Sequence, residues 1–458
     1  MIYFICVLLF ASFTVLDAQV SGSWKRLLDS PVYGIGINPK NPETIIVGGL
    51  GRTLYKTHNG GLSWTIDSIE FRSGSSQLTN ILISSVDTNI VLAGGVFNSI
   101  RRSTDQGVNW ENVFEPEKPL FISPGETIIE NQDNPLMIYA GDNTSNRIFR
   151  SMNGGVSWDT ITTLNVSGLC TLTLKPDSSN VLFAGCKLGI IKKSTDAGSS
   201  WRTVASIREK GDTEIPKIVF SKKNPSIGFA ILAYFLPKNK PNGGIYKTTD
   251  GGETWNEFAS KDTSFWSICI APYQNGNEEL FIGGYSDASE DIPGPGTIIQ
   301  TQIDTYSPIY YSNEIPWFSN MQGIPPRKNV WMMKSAINKN GETLVYAATE
   351  AGFYVWQPNS TSITPESLFD QSIDFSLDES FVHIESSKHE IQSIDILSLS
   401  GKRILVPILS SQTHVSIPLS DIHDPIIIIR VLTQKGTFSE RLIAPHHNAM
   451  FTKKTILK

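Results

Sequence analysis

The side chains able to do chemistry in this sequence fall into two sets. The first is acidic: Asp212, Glu214, Asp287, Glu290 and Asp291. Cleaving a glycosidic bond needs two carboxylates held at a set separation across the sugar, and these five are the candidates for such a pair. The second set is aromatic and cationic: Tyr33, Trp266 and Trp331, with Arg327 and Lys328 nearby in the chain. Flat apolar rings with a few charges beside them suit a sugar or a peptide as ligand. Each set also has a plainer reading. The tryptophans can fill the taper where strands converge, and the acids of Asp287–Asp291 can be a solvated loop.

Other chemistries find little support. His58 is the sole histidine before residue 359, so neither a metal site nor a histidine-centred triad is expected there. No metal and no cofactor is expected. Gly60-Gly61, Gly154-Gly155 and Gly251-Gly252 precede no helical pattern, which excludes phosphate loops. A net charge of −6 and a pI near 5.7 leave no basic face for nucleic acid.

The elements that would position these residues are set by a repeat. The pattern Ser/Thr-x-Asp/Asn-x-Gly-x-x-Trp occurs five times: Thr57, Asn59, Trp64; Ser103, Asp105, Trp110; Ser151, Asn153, Trp158; Ser194, Asp196, Trp201; and Thr248, Asp250, Trp255. The tryptophans recur every 43 to 54 residues. That period, with short strands and Gly-rich turns, marks propeller blades. The hydroxyl and the Asp/Asn can bond nearby backbone N–H groups and close a turn. Glycine supplies φ > 0, and tryptophan opens the next strand as an apolar wedge.

A second strand is read seven times, at 44–48, 90–94, 137–141, 181–185, 228–232, 279–283 and 343–347, several after an Asn-Pro turn. Seven blades are therefore expected. The last lacks an outer strand, and Ser23-Trp24-Lys25-Arg26 matches the post-turn strand Ser63-Trp64-Thr65-Ile66. The N-terminal strand is thus expected to close the ring and remove its open edges. First strands begin on the face away from the repeated turns, where Tyr33, Trp266 and Trp331 would gather.

The repeat resembles the Asp-box (BNR) motif, and the blades look like those of the photosystem assembly-factor-like and sortilin-like groups. That resemblance implies a propeller that binds protein segments on one face without catalysis. Sialidases also carry Asp-boxes, but Phe71-Arg72-Ser73-Gly74 does not match their Arg-Ile-Pro and arginines are sparse. Asp-box xyloglucanases resemble these blades more closely, though that family needs two propellers.

Residues 1–18 read as a signal peptide cut after Ala18, and no later segment is long and apolar enough to cross a membrane. Residues 19–359 form the propeller and 360–372 a linker rich in Asn, Ser, Thr and Pro. Residues 373–444 carry seven short strand patterns, read as a small immunoglobulin-like β-sandwich. Within it, Ile394-Asp395-Ile396-Leu397-Ser398-Leu399-Ser400-Gly401-Lys402-Arg403 and Ile429-Arg430-Val431 look like the C-terminal sorting domain of the type IX secretion system. That resemblance implies the secretion machinery as partner, export through periplasm and outer membrane, and release or attachment at the cell surface. Residues 445–458 are read as a tail. Lys175 opposite Val181 would set Cys170 opposite Cys186, which makes a disulfide a candidate in an oxidising compartment. Two functions stay open: an all-β secreted or surface module binding a glycan or protein, preferred here, and a glycoside hydrolase, xyloglucanase-like before sialidase, on the same fold.

Overall fold

The computed structural model describes residues 22–70, 77–114, 120–121, 125–207, 213–234, 243–259, 263–285, 298–302, 318–319, 329–358, 373–377, 381–387, 390–398, 403–406, 413–418, 426–433, 436–443 and 450–455. Contacts divide the chain into two compact units, with Gly22–Ser360 as one and the segment from Thr361 onward in the other.

The first unit is an all-β propeller. Six blades are each built from strands consecutive in the chain, and a further four-stranded sheet joins the two ends of the unit. The six blades have first strands Gly34–Ile37, Leu78–Ile83, Ile129–Glu130, Leu169–Lys175, Thr213–Phe220 and Phe265–Pro272 and are numbered 1 to 6 in that order. The composite sheet orders Val330–Ile337, Thr343–Thr349 and Gly352–Pro358 outward and finishes with the N-terminal strand Gly22–Leu28. Its register runs antiparallel from Gly22 opposite Pro358 to Leu28 opposite Phe353. First strands pack side by side between blades 1 and 2 and from blade 3 through blade 6, and the composite sheet contacts both blade 6 and blade 1. Fully buried Trp356, Phe281 and Phe353 wedge between sheets there, with Trp24 edge-on to Phe281 at 6.4 Å.

The repeated turns hold themselves together. In each, the Ser/Thr hydroxyl donates to the Asp/Asn side chain and accepts the glycine N–H four residues on, as in Thr248 Oγ1 to Asp250 Oδ1 at 2.7 Å and Gly252 N to Thr248 Oγ1 at 2.9 Å. Trp110, Trp158 and Trp201 donate their indole N–H back to the turn glycine's carbonyl, at 2.9 to 3.2 Å. The glycine is required. Gly252 has φ +83°, and a Cβ there would lie 2.4 Å from the Phe183 ring of the preceding blade. Each turn therefore clamps one blade against the previous one.

Blade 4 departs from the expected hairpin. Leu172 to Leu174 pair with Ala184 to Leu182, but Lys175 pairs with Ser178, so the second strand starts at Ser178. Toward the other end, a bulge shifts the register so that Leu169, not Cys170, faces Cys186. The expected disulfide is not formed: Cys170, Cys186 and Cys269 are buried free thiols. Burial raises the Cys170 thiol well above its ordinary value, with Glu214 and Cys186 adding to the rise, and pushes Cys186 up to about 12.

The second unit contains two antiparallel sheets. One orders Ile373–Leu377, Phe381–Ser386 and His414–Pro418; the other orders Arg403–Val406, Ile391–Ser398, Ile426–Thr433, Gly436–Ile443 and Met450–Thr455. The stretch read as a tail thus includes an edge strand, Met450–Thr455, pairing with Gly436–Ile443. A strand's N–H and C=O groups are satisfied by any free edge, which side-chain alternation in the tail does not announce.

Candidate ligand-binding face

Antiparallel strands place the start of each first strand and the end of each second strand at the end of the propeller away from the Asp-box turns. Tyr33, just before Gly34, and Trp266 and Trp331, each second in its first strand, therefore share one end. The structure brings all three together. Tyr33 and Trp331 lie 5.8 Å apart between ring centroids, and Trp331 meets Trp266 edge-on at 5.2 Å. Tyr285, one residue past the second strand of blade 6, completes the run at 5.2 Å from Trp266 and 5.9 Å from Trp331. These separations are those of favourable edge and offset ring pairs. Trp266 is 8% exposed and packs with Tyr234 and Ala233 of blade 5, whereas Tyr33 and Trp331 are half-buried.

A carboxylate adjoins the run. Glu350, in the turn between Thr349 and Gly352, accepts the Asn329 amide N–H at 2.9 Å. Burial raises the Tyr33 phenol, the charge of Glu350 raises it further, and a hydrogen bond with Gln77 opposes both. Glu214 is buried and pairs with Lys187 at 3.1 Å. Asp212, Asp287, Glu290, Asp291, Arg327 and Lys328 lie outside the described residues.

Sequence reasoning missed the centre of the propeller. Glu126 accepts from Lys217 of blade 5 and, at 2.7 Å, from Lys334 of the composite sheet. The three belong to sheets separated on the ring by at least one other, so they meet only across the middle. Backbone bonds hold the carboxylate in place. Gly125 N bonds Cys170 O at 3.0 Å, Leu172 N bonds Glu126 O at 3.0 Å, and Asn80 receives Thr127 N at 2.9 Å. Gly125 is needed because a Cβ would strike Pro216 O at 1.8 Å. Burial alone would raise the Glu126 carboxyl, but the two ammonium groups outweigh it and hold it at about 2. Glu126 is thus a fixed anion, unable to lend a proton near neutrality. Asp67, Asp105, Asp196, Asp250 and Glu253 are lowered as well.

No family model matches the chain. Among curated proteins it is similar to the xyloglucanase Xgh74A of Acetivibrio thermocellus, 23% identical over 55% of this chain and 32% of that protein. A xyloglucanase of a Paenibacillus species is 25% identical over 36% of this chain and 14% of its own length. The matches span about a third or less of those relatives. Among solved structures, YCF48 bound to a D1 peptide superposes with a TM-score of 0.52 at 13% identity, covering 75% of this chain and 97% of that one. An ancestral GH74 enzyme gives 0.52 at 14% identity, covering 95% of this chain and 63% of that one. At these identities the likeness establishes the β-propeller fold.

Proposed function

We propose that this chain is a non-catalytic binding module that takes a glycan or protein segment on the propeller face bearing Tyr33, Trp331, Trp266 and Tyr285. The contiguous aromatic run carries the reading: four rings from three sheets converge at one end of the molecule. Of the four rings, half-buried Tyr33 and Trp331 offer apolar surface to a sugar face or a peptide side chain, with Trp266 and Tyr285 buried behind them and Glu350 an acceptor alongside. The solved propeller with a bound peptide supports a protein ligand; the xyloglucanase similarity supports a polysaccharide and is the ground for the alternative, a glycoside hydrolase. Were the alternative right, Glu214 with Asp212, Asp287, Glu290 or Asp291 would be the acids to try. The seven-bladed reading rests on counting the composite sheet with the six consecutive blades. The sorting-domain reading of 373–444, with secretion or surface attachment, rests on sequence resemblance and is tested by deleting that segment and following the protein by fractionation; accumulation on the inner side of the outer membrane is expected.

The ligand test is a glycan-array and peptide-library screen of the full chain, with product analysis on every hit. Binding without cleavage, weakened at least tenfold by Trp331→Ala or Tyr33→Ala at unchanged melting temperature, is the expected result. Released oligosaccharides would overturn it in favour of the hydrolase.

A further inference from the structure

Strands Phe381–Ser386 and His414–Pro418 pair antiparallel with His383 opposite Ser416 and Glu385 opposite His414. Alternation sends Ile384, Val415 and Ile417 to the buried side. His383, Glu385, His414 and Ser416 therefore share the other face, and there they form a chain. His414 Nδ1 lies 3.2 Å from Glu385 Oε1, His414 Nε2 lies 3.0 Å from Ser416 Oγ, and His383 Nδ1 lies 2.8 Å from the same Oγ. The two imidazoles face one another at 5.7 Å with an interplanar angle of 28°.

Donor and acceptor inventory gives this chain a direction. An ionised glutamate only accepts, so His414 carries its proton on Nδ1. In the neutral imidazole Nε2 is then bare to accept the Ser416 hydroxyl, whose oxygen in turn accepts His383 Nδ1–H. The order carboxylate, imidazole, hydroxyl is the geometry by which a serine nucleophile is activated, and such a constellation is recognised by its roles rather than by its place in a fold. We infer that Ser416, with His414 as general base and Glu385 as the positioning residue, is an activated nucleophile toward activated acyl esters, such as aryl esters and thioesters.

In the step, Ser416 Oγ bonds the acyl carbon while its proton passes to His414 Nε2. The ester's C–O or C–S bond then breaks, and the leaving group departs with that proton. Water, deprotonated by the same nitrogen, subsequently releases the carboxylic acid and restores the serine. His383 donates to Oγ in the resting state and keeps the hydroxyl aimed at His414. The site is open: His414 is 50% and Glu385 67% exposed. General-base help typically contributes about 10²–10⁴-fold, and exposure sets this site at the lower end.

The test treats the full chain with p-nitrophenyl acetate and, separately, a fluorophosphonate, and locates the adduct by peptide mass spectrometry. Adduct on Ser416 is expected, absent in Ser416→Ala, slowed at least tenfold in His414→Ala and severalfold in Glu385→Gln. These positions face solvent, and circular dichroism checks that each variant keeps its fold. Adduct on a histidine instead, labelling of Ser416 indifferent to His414→Ala, or no adduct at all would each overturn the inference.

Discussion

Glu126→Gln isolates the ion triad at the centre of the propeller. The substitution keeps the side-chain shape and removes the charge, leaving Lys217 and Lys334 facing each other. Their side chains are 19% and 23% exposed against 15% for Glu126, so water relieves them only in part. Breaking a buried pair by deleting one partner costs about 3–5 kcal/mol, and partial solvation argues for about 3. The propeller unit has about 340 residues, and an unfolding entropy near 2.1 cal/mol/K per residue gives about 0.7 kcal/mol/K. The melting temperature should therefore fall by about 4 °C at neutral pH. The sign with pH follows from the lowered carboxyl. Its contribution is complete above the unfolded-state value, near 4.5, and is lost as pH falls toward the folded value of about 2. Differential scanning calorimetry of both proteins from pH 7 to pH 3 is the assay. The gap between them should narrow on acidification. A gap under about 1 °C at neutral pH, against the roughly 4 °C expected, would refute the reasoning. So would a gap that widens in acid.

Two further expectations concern the Asp-box turns. Asp105, Asp196 and Asp250 are held at about 2 by hydrogen bonds from their own turns, with burial opposing; for Asp250 burial is the largest influence and the bonds to Thr254 and Thr248 outweigh it. Each thus stabilises the fold above its unfolded value and loses that contribution as pH falls below it, whereas Asn59 and Asn153 do not titrate; changing the three aspartates to asparagine should flatten urea-denaturation stability between pH 4.5 and 2.5. Glycines at different positions of these turns should differ in sensitivity: Gly252→Ala in the blade 5 turn meets the Phe183 ring at φ +83°, while at Gly60 in the blade 1 turn, φ +67°, nothing lies within 4 Å. Conformational strain alone is about 1–2 kcal/mol, and overpacking adds about 1–3, so denaturant midpoints should separate the two variants clearly.

What could be read from the residues was local. The box turns close through hydrogen bonds within about five positions, so motif spacing announced them, and the likeness of Ser23-Trp24 to Ser63-Trp64 pointed to the strand that pairs with Gly352–Pro358. The strand patterns read at 381–385 and 414–419 end within a residue of the strands Phe381–Ser386 and His414–Pro418. The gathering of Tyr33, Trp266 and Trp331 at one end followed from strand direction alone. Tyr285 did not, because it sits just beyond a strand end where no period applies.

Everything decided by closure of the ring lay beyond the sequence. Glu126 reaches a lysine 91 positions away because the sheets curve round to a common centre, and no local pattern marks that pairing. The cysteine pairing failed at one bulged residue, which offsets the register by a single position and separates two side chains that simple counting sets opposite each other. His383, Glu385, His414 and Ser416 are ordinary polar residues of two exposed strand faces until the register of those strands aligns them. Short-range hydrogen bonds and side-chain period wrote the strands and turns into the chain. Which distant groups share a charge, a proton or a ring face was decided only where strands from separate segments were brought side by side.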